Sequence, residues 1–232
     1  MRILITGGAG FIGTHLTNTL LKRHPDSKLE LVDDLSSSSL SPERRKFFEK
    51  NEIVFFHQTV EEWQPSGWYD QIYHLACRVG PAHVLKYAGQ MAKEIADDAD
   101  KVARLAVRDG APLISISTSE VYGRDPHGTP QRENIPLEVP ATFSVRLEYA
   151  LAKLLNEISL INLAQVEPRL RVNLIRPFNI VGPYQTGEGG FVLPRFVEAA
   201  LAGKPLTVFG DGTQIRAFTH VSDLVDSLIR IM

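Results

Sequence analysis

The chain has 232 residues, 44% of them hydrophobic and 22% charged, enough for one sizeable core and part of a second region. A formal charge of −2, with basic residues scattered apart from Arg44-Arg45-Lys46, offers no broad electropositive surface, so neither nucleic acid nor an anionic membrane is expected as a partner. Cys77 is the single cysteine, no apolar run reaches the roughly 20 residues of a membrane span, and no charged leader precedes the first strand pattern, which together point to a cytoplasmic protein.

Arg2–Thr6 reads as a strand that runs into Gly7-Gly8-Ala9-Gly10-Phe11-Ile12-Gly13 and a helix over Phe11–Arg23. Gly7 permits a tight turn, Gly10 lets the backbone approach a pyrophosphate, and Gly13 lets the helix pack on the strand. The N–H groups at the helix start, around Phe11 and Ile12, supply anion donors. No Gly-Lys-Ser/Thr follows, so a Walker-type loop is excluded. The second strand, Leu29–Val32, ends at Asp33, where a carboxylate accepts hydrogen bonds from an adenosine ribose and favours NAD over NADP. Ser36–Ser39 reads as a loop. On the helix Pro42–Lys50, Arg44 and Arg45 read as a solvated face, the alternative being that one folds back towards a 2′-phosphate.

Strands over Ile53–Phe56 and Gln71–Leu75 follow, and the second leads through Leu75 and Ala76, whose backbone is expected to line a dinucleotide crevice. A helix over Ala88–Arg108, a strand over Leu113–Ser117, a helix over Ser144–Gln165 and a strand over Arg171–Arg176 complete a βα alternation. That order predicts an α/β fold, a doubly wound parallel sheet (Rossmann fold) with right-handed crossovers, over residues 1–176. After it come a Gly- and Pro-rich stretch, a helix over Phe191–Ala202, a strand over Leu206–Phe209 and a helix from Val221. Residues 177–232 are expected to be the start of a smaller substrate-binding region that stops short at Met232.

Tyr149 and Lys153 stand at i and i+4 and share one helix face, where an ammonium lowers the pKa of a phenol. Ser117-Thr118-Ser119-Glu120-Val121-Tyr122-Gly123 closes the fifth strand and delivers hydroxyls and a carboxylate to the C-terminal edge of the sheet. The seven histidines (15, 24, 57, 74, 83, 127 and 220) show no ligand spacing, so no metal is expected.

With Arg176-Pro177-Phe178-Asn179-Ile180-Val181-Gly182-Pro183 and Gly210-Asp211-Gly212-Thr213-Gln214-Ile215-Arg216, these motifs span nearly the whole chain. They resemble the extended short-chain dehydrogenase/reductase family, in its NAD-dependent nucleotide-sugar epimerase, decarboxylase and dehydratase group. The resemblance implies NAD as cofactor and a nucleotide sugar, a UDP-sugar first, as substrate. It implies Tyr149 as catalytic base, Lys153 on the nicotinamide ribose, Thr118 on the reacting sugar hydroxyl and Pro177 beside the cofactor. It places Asn179 and Arg216 at the nucleotide diphosphate, and Val192, Leu193 and Pro194 near the base. Where relatives carry an Asp that contacts adenine, this chain has Thr59. The resemblance also implies a homodimer through the helices at Ala88–Arg108 and Ser144–Gln165.

The reaction expected first is epimerisation through a transient 4-keto sugar. Ser119-Glu120 after Thr118 is similar to the decarboxylase pattern and lacks the acid a dehydratase needs, so decarboxylation of a nucleotide-linked uronate using Glu120 stands beside epimerisation. An NAD-binding module without turnover is the reading from another class.

Overall fold

The computed structural model describes residues 1–123, 130–135 and 144–232. Strands β1 (Arg2–Thr6), β2 (Lys28–Asp33), β3 (Val54–His57), β4 (Gln71–His74), β5 (Pro112–Ile116) and β6 (Arg171–Ile175) form one sheet in the order β3-β2-β1-β4-β5-β6. Every neighbouring pair is parallel. This is the doubly wound arrangement the alternation predicts. The chain order reverses between β1 and β4, and a sheet of this kind opens a ligand crevice at that point.

Helices α1 (Phe11–Arg23), α2 (Pro42–Lys50), α3 (Pro81–Lys86), α4 (Met91–Asp109), α5 (Val145–Val166), α6 (Val192–Leu201) and α7 (Val221–Ile231) complete the chain. Side chains of β1 alternate between two cores, as a period of two demands. Ile3 and Ile5 join Leu16 and Leu20 of α1 and Val221, Leu224, Val225 and Leu228 of α7. Leu4 joins Val102, Leu105 and Ala106 of α4 and Leu160 of α5. These four residues of α7 are buried, each contributing roughly 1.5–3 kcal/mol of transfer free energy. Through them α7 packs on the first core.

Two expected elements differ. The helix read over Ala88–Arg108 forms as α4, beginning three residues later at Met91, and α3 precedes it as a short helix the sequence did not announce, with Gly89 at φ 82 turning the chain between them. The strand read over Leu206–Phe209 does not form. Its residues find no neighbouring strand among the described residues, and Val208 and Phe209 stay exposed, so β-propensity has nothing to pair with. A small parallel pair that the sequence did not announce, β7 (Ile180–Val181) with β8 (Thr219–His220), ties the loop after β6 to the start of α7.

Candidate active site

A cavity of about 1030 Å³ runs over the C-terminal edge of β1, β2, β4 and β5. The glycine turn forms its floor. A Cβ on Gly7 would lie 2.7 Å from the Ala76 nitrogen, and one on Gly13 would lie 2.3 Å from the Gly7 carbonyl oxygen, so the first and third glycines allow the turn to press against β4 and α1. Phe11, Ile12, Leu75 and Ala76 line the cavity with them.

Asp33 is buried at the tip of β2. Its Oδ2 accepts from the Ala9 N–H (2.9 Å), and its Oδ1 from the Leu35 N–H (2.8 Å) and the Ser38 hydroxyl (3.3 Å). Burial pushes its pKa up and the backbone N–H groups pull it down. Oδ2, with one donor, keeps a second lone pair for a ribose hydroxyl. Arg44 is not on a solvated face. Its guanidinium folds back to donate to the carbonyls of Ala9 (2.6 Å) and Gly8 (3.1 Å) and stacks on Phe48, whereas Arg45 stays exposed.

At the other end of the cavity stand Ser117, Tyr149 and Lys153. Ser144 caps α5 by accepting from the Leu147 N–H (3.4 Å), which sets the phase that buries Tyr149 and Lys153 on one face. The Lys153 ammonium donates to the Ile116 carbonyl (2.8 Å). Burial drives the Tyr149 phenol well above its ordinary pKa, Cys77 and Glu120 push the same way, and the hydrogen bond with Thr118 pulls it down. Burial thus outweighs the lowering expected from Lys153.

Thr118 also caps the 3-10 turn Ser119–Tyr122 by accepting from the Glu120 N–H (3.2 Å), and the Ser119 N–H donates to the Pro177 carbonyl (3.2 Å). The Glu120 carboxylate pairs with Arg146 at 3.3 Å. Arg176 grips Glu157 through two nitrogens (2.9 and 2.5 Å) and lies over Tyr122, which stacks on Phe178.

The expected substrate residues do not converge on this point. Asn179 donates to the Ala217 carbonyl (2.8 Å), Arg216 to the adjacent Ile215 carbonyl (2.9 Å), and Val192 and Leu193 are exposed at the start of α6. Tyr184, Gln185, Thr186, Gly189 and Phe191 line the cavity instead. Thr59 lines it too, with its hydroxyl donated to Glu62 (2.9 Å).

Sequence reasoning missed Asp98, Arg78 and Arg146. Asp98 reaches the cavity from α4. Burial lifts its carboxyl to about 6, against the pull of Lys153 and Arg78 and with a push from Asp34 and Glu61. Arg78 bridges Asp34 (3.2 Å) and Glu94 and stacks on Tyr87. Arg146 precedes Tyr149 by three residues, a helical spacing that carries a signal once Glu120 is placed opposite. Among the described residues no group of three or more His, Cys, Asp or Glu could hold a metal ion, and no helix is long and apolar enough to cross a membrane. His127 lies outside the described residues.

The glycine cradle fits a dinucleotide, and the Ser117 hydroxyl, buried on the cavity wall without a partner among the described residues, leaves a polar atom for one. The model of the NAD dependent epimerase/dehydratase family matches residues 3–232. The chain belongs to that family. Its cofactor is NAD, which when bound supplies the acceptor and donor of hydride.

Two curated relatives in this family are decarboxylases. UDP-N-acetyl-alpha-D-glucosaminuronate decarboxylase of Bacillus cytotoxicus is 34% identical over all of this chain and 71% of its own length. UDP-glucuronic acid decarboxylase 4 of Arabidopsis thaliana is 36% identical over all of this chain and 51% of its own length, so the chain spans about half of that relative. Among solved structures, UDP-glucuronic acid 4-epimerase of Bacillus cereus with NAD superposes with a TM-score of 0.83. It is 26% identical and covers 100% of this chain and 73% of its own.

Proposed function

We propose that this chain carries the site of an NAD-dependent decarboxylase for a UDP-linked hexuronate. The observation that carries the reading is Glu120, set two residues after Thr118 by the capped 3-10 turn and acting on the Tyr149 phenol. In the reaction, Tyr149 takes the proton of the sugar C4 hydroxyl as the C4 hydride leaves to the cofactor, and Thr118 holds that hydroxyl. The C4 ketone is then β to the C6 carboxylate. The C5–C6 bond breaks, CO2 departs, the electron pair of that bond moves into the C4 carbonyl, and C5 takes a proton that solvent supplies by way of the Glu120 carboxylate. Hydride returns to C4 as Tyr149 gives its proton back to the C4 oxygen. Both decarboxylase relatives, at 34% and 36% identity, support this order of preference over the epimerase expected first.

Epimerisation at C4 of the same uronate is the second reading, favoured by the likeness to the Bacillus cereus epimerase. A module that binds NAD without turnover is the third. Residues 177–232 are read as the wall that meets the nucleotide. We read the working form as a cytoplasmic homodimer, because α5 leaves Leu155, Ile158 and Ile161 exposed beside Leu151 and Leu154 in an apolar groove against α4. Incubation with NAD and UDP-glucuronate, with products followed by NMR and mass spectrometry, tests the reaction. A UDP-pentose is expected from the wild type and none from Glu120→Gln. A C4-inverted uronate transfers the reading to the epimerase, and unchanged substrate with NAD bound to the module.

A further inference from the structure

The carboxylate that distinguishes a uronate from a neutral hexose needs a cation near C4, and three cations of the elements around Tyr149 and of the chain after β6 are already engaged. Lys153 is buried and held on the Ile116 carbonyl. Arg176 is clamped on Glu157 and stacked on Tyr122. Arg216 sits on the carbonyl of its own neighbour.

Arg146 differs. It lies on the first turn of α5, three residues before Tyr149 and so on the same face, one turn closer to the helix start. Among the described residues its guanidinium has one acceptor, Glu120 Oε1, at a loose 3.3 Å with the side chain 61% exposed. A guanidinium offers five donors in a fixed fork, so this contact leaves room for a second carboxylate.

We propose that Arg146 is the specificity-determining residue that receives the C6 carboxylate of a nucleotide-linked hexuronate, bridging it to Glu120. The proposal rests on the reading that Tyr149 and Thr118 meet the sugar C4 hydroxyl. Two C–C bonds of about 1.5 Å separate C4 from C6, so a sugar anchored there carries its carboxylate only about 2.5 Å from the reacting carbon. Glu120 is tied to Thr118 by the capping bond of its N–H, and Arg146 pairs with the Glu120 carboxylate at 3.3 Å. Glu120 alone would repel a uronate. Arg146 cancels that repulsion and adds charge-assisted bonds of its own. A hexose with a hydroxymethyl group at C5 gives Arg146 no such partner, and the Glu120 pair stays closed.

The test is equilibrium binding of UDP-glucuronate and of UDP-glucose to the NADH-loaded chain, which has no hydride acceptor and leaves both ligands unreacted, as wild type, Arg146→Ala, Arg146→Gln and Arg146→Lys. The wild type is expected to prefer the uronate by about tenfold or more, with Arg146→Ala and Arg146→Gln bringing the two affinities together and Arg146→Lys in between. Retained NAD binding verifies that each variant is folded, and the volume-conserving Gln and Lys variants give the same readout if the alanine variant fails to fold. A preference that survives in Arg146→Gln overturns the proposal. So does a wild type that binds both nucleotides equally, or neither. The assay is independent of turnover: a chain that selects the uronate through Arg146 but releases no CO2 refutes decarboxylation and leaves the carboxylate site standing.

Discussion

Tyr149 is a phenol that burial holds protonated, with Thr118 as the hydrogen bond that eases its ionisation, and this defines what its loss should do. Tyr149→Phe removes the proton acceptor and leaves the ring, so turnover should fall by about 10²–10⁴-fold while NAD affinity, read by titration, stays unchanged. The pair at i and i+4 made Tyr149 and Lys153 legible in the sequence. Arg146 and Arg44 were not, because a lone arginine on a helix shows neither the carboxylate nor the carbonyls it will meet until the chain has folded.

Two other single residues make opposed pH predictions. His74, fully buried at the end of β4 and bonded to the Thr6 hydroxyl (2.8 Å), is pushed down to about 3 from 6.5 by burial and by Lys153. The native state thus binds fewer protons than the unfolded chain between these values, and His74 costs stability as pH falls below 6.5. Asp98 is lifted to about 6 from 3.8, so the native state binds more protons between these values and Asp98 costs stability as pH rises from 3.8 to 6. The two slopes offset one another between about pH 4 and 6. Urea midpoints over that range should be nearly flat in the wild type. They should fall towards pH 4 in Asp98→Asn and towards pH 6 in His74→Gln; variants with identical profiles would contradict both assignments.

Elements separate into those whose signal is local and those whose formation depends on a partner. The glycine turn was legible because each glycine answers to a contact within the same βα unit. Helix α3 was not, since its six residues are too few for a 3.6-residue period to stand out, and Gly89 at φ 82 parts it from α4. The run Leu206–Phe209 has strand composition and no strand beside it, whereas β7 and β8, of two residues each, pair without any pattern to announce them. The two kinds of glycine give a direct comparison. Gly13→Ala drives a Cβ to within 2.3 Å of the Gly7 carbonyl, with backbone on both sides, and should cost about 1–3 kcal/mol and abolish NAD binding. Gly89→Ala meets nothing within 4 Å and should cost only the left-handed backbone strain, about 1–2 kcal/mol, with NAD affinity intact. Denaturant midpoints and a cofactor titration separate the two.

For the whole molecule, the sheet order brings the ends of β1, β4 and β5 together, so the cofactor turn, the Ser117–Glu120 segment and the Tyr149 face of α5 meet along one edge. Alternating patterns were enough to predict that edge. They did not predict that α7 returns to the first core, because an amphipathic helix at the end of the chain does not reveal which layer it covers. The apolar face of α5 makes a prediction at this scale. Light scattering should find a dimer in the wild type and a monomer in Leu155→Glu/Ile158→Glu; a dimer that persists in the double variant would place the interface elsewhere.

The most direct test of the central claim is the reaction of the NAD-loaded chain with UDP-glucuronate in deuterated water, followed by NMR. Decarboxylation through Tyr149 and Glu120 predicts CO2 release with one solvent deuterium at C5 of the UDP-pentose formed. Conversion of the uronate to its C4 epimer with no deuterium at C5, or recovery of the substrate unchanged, would contradict it.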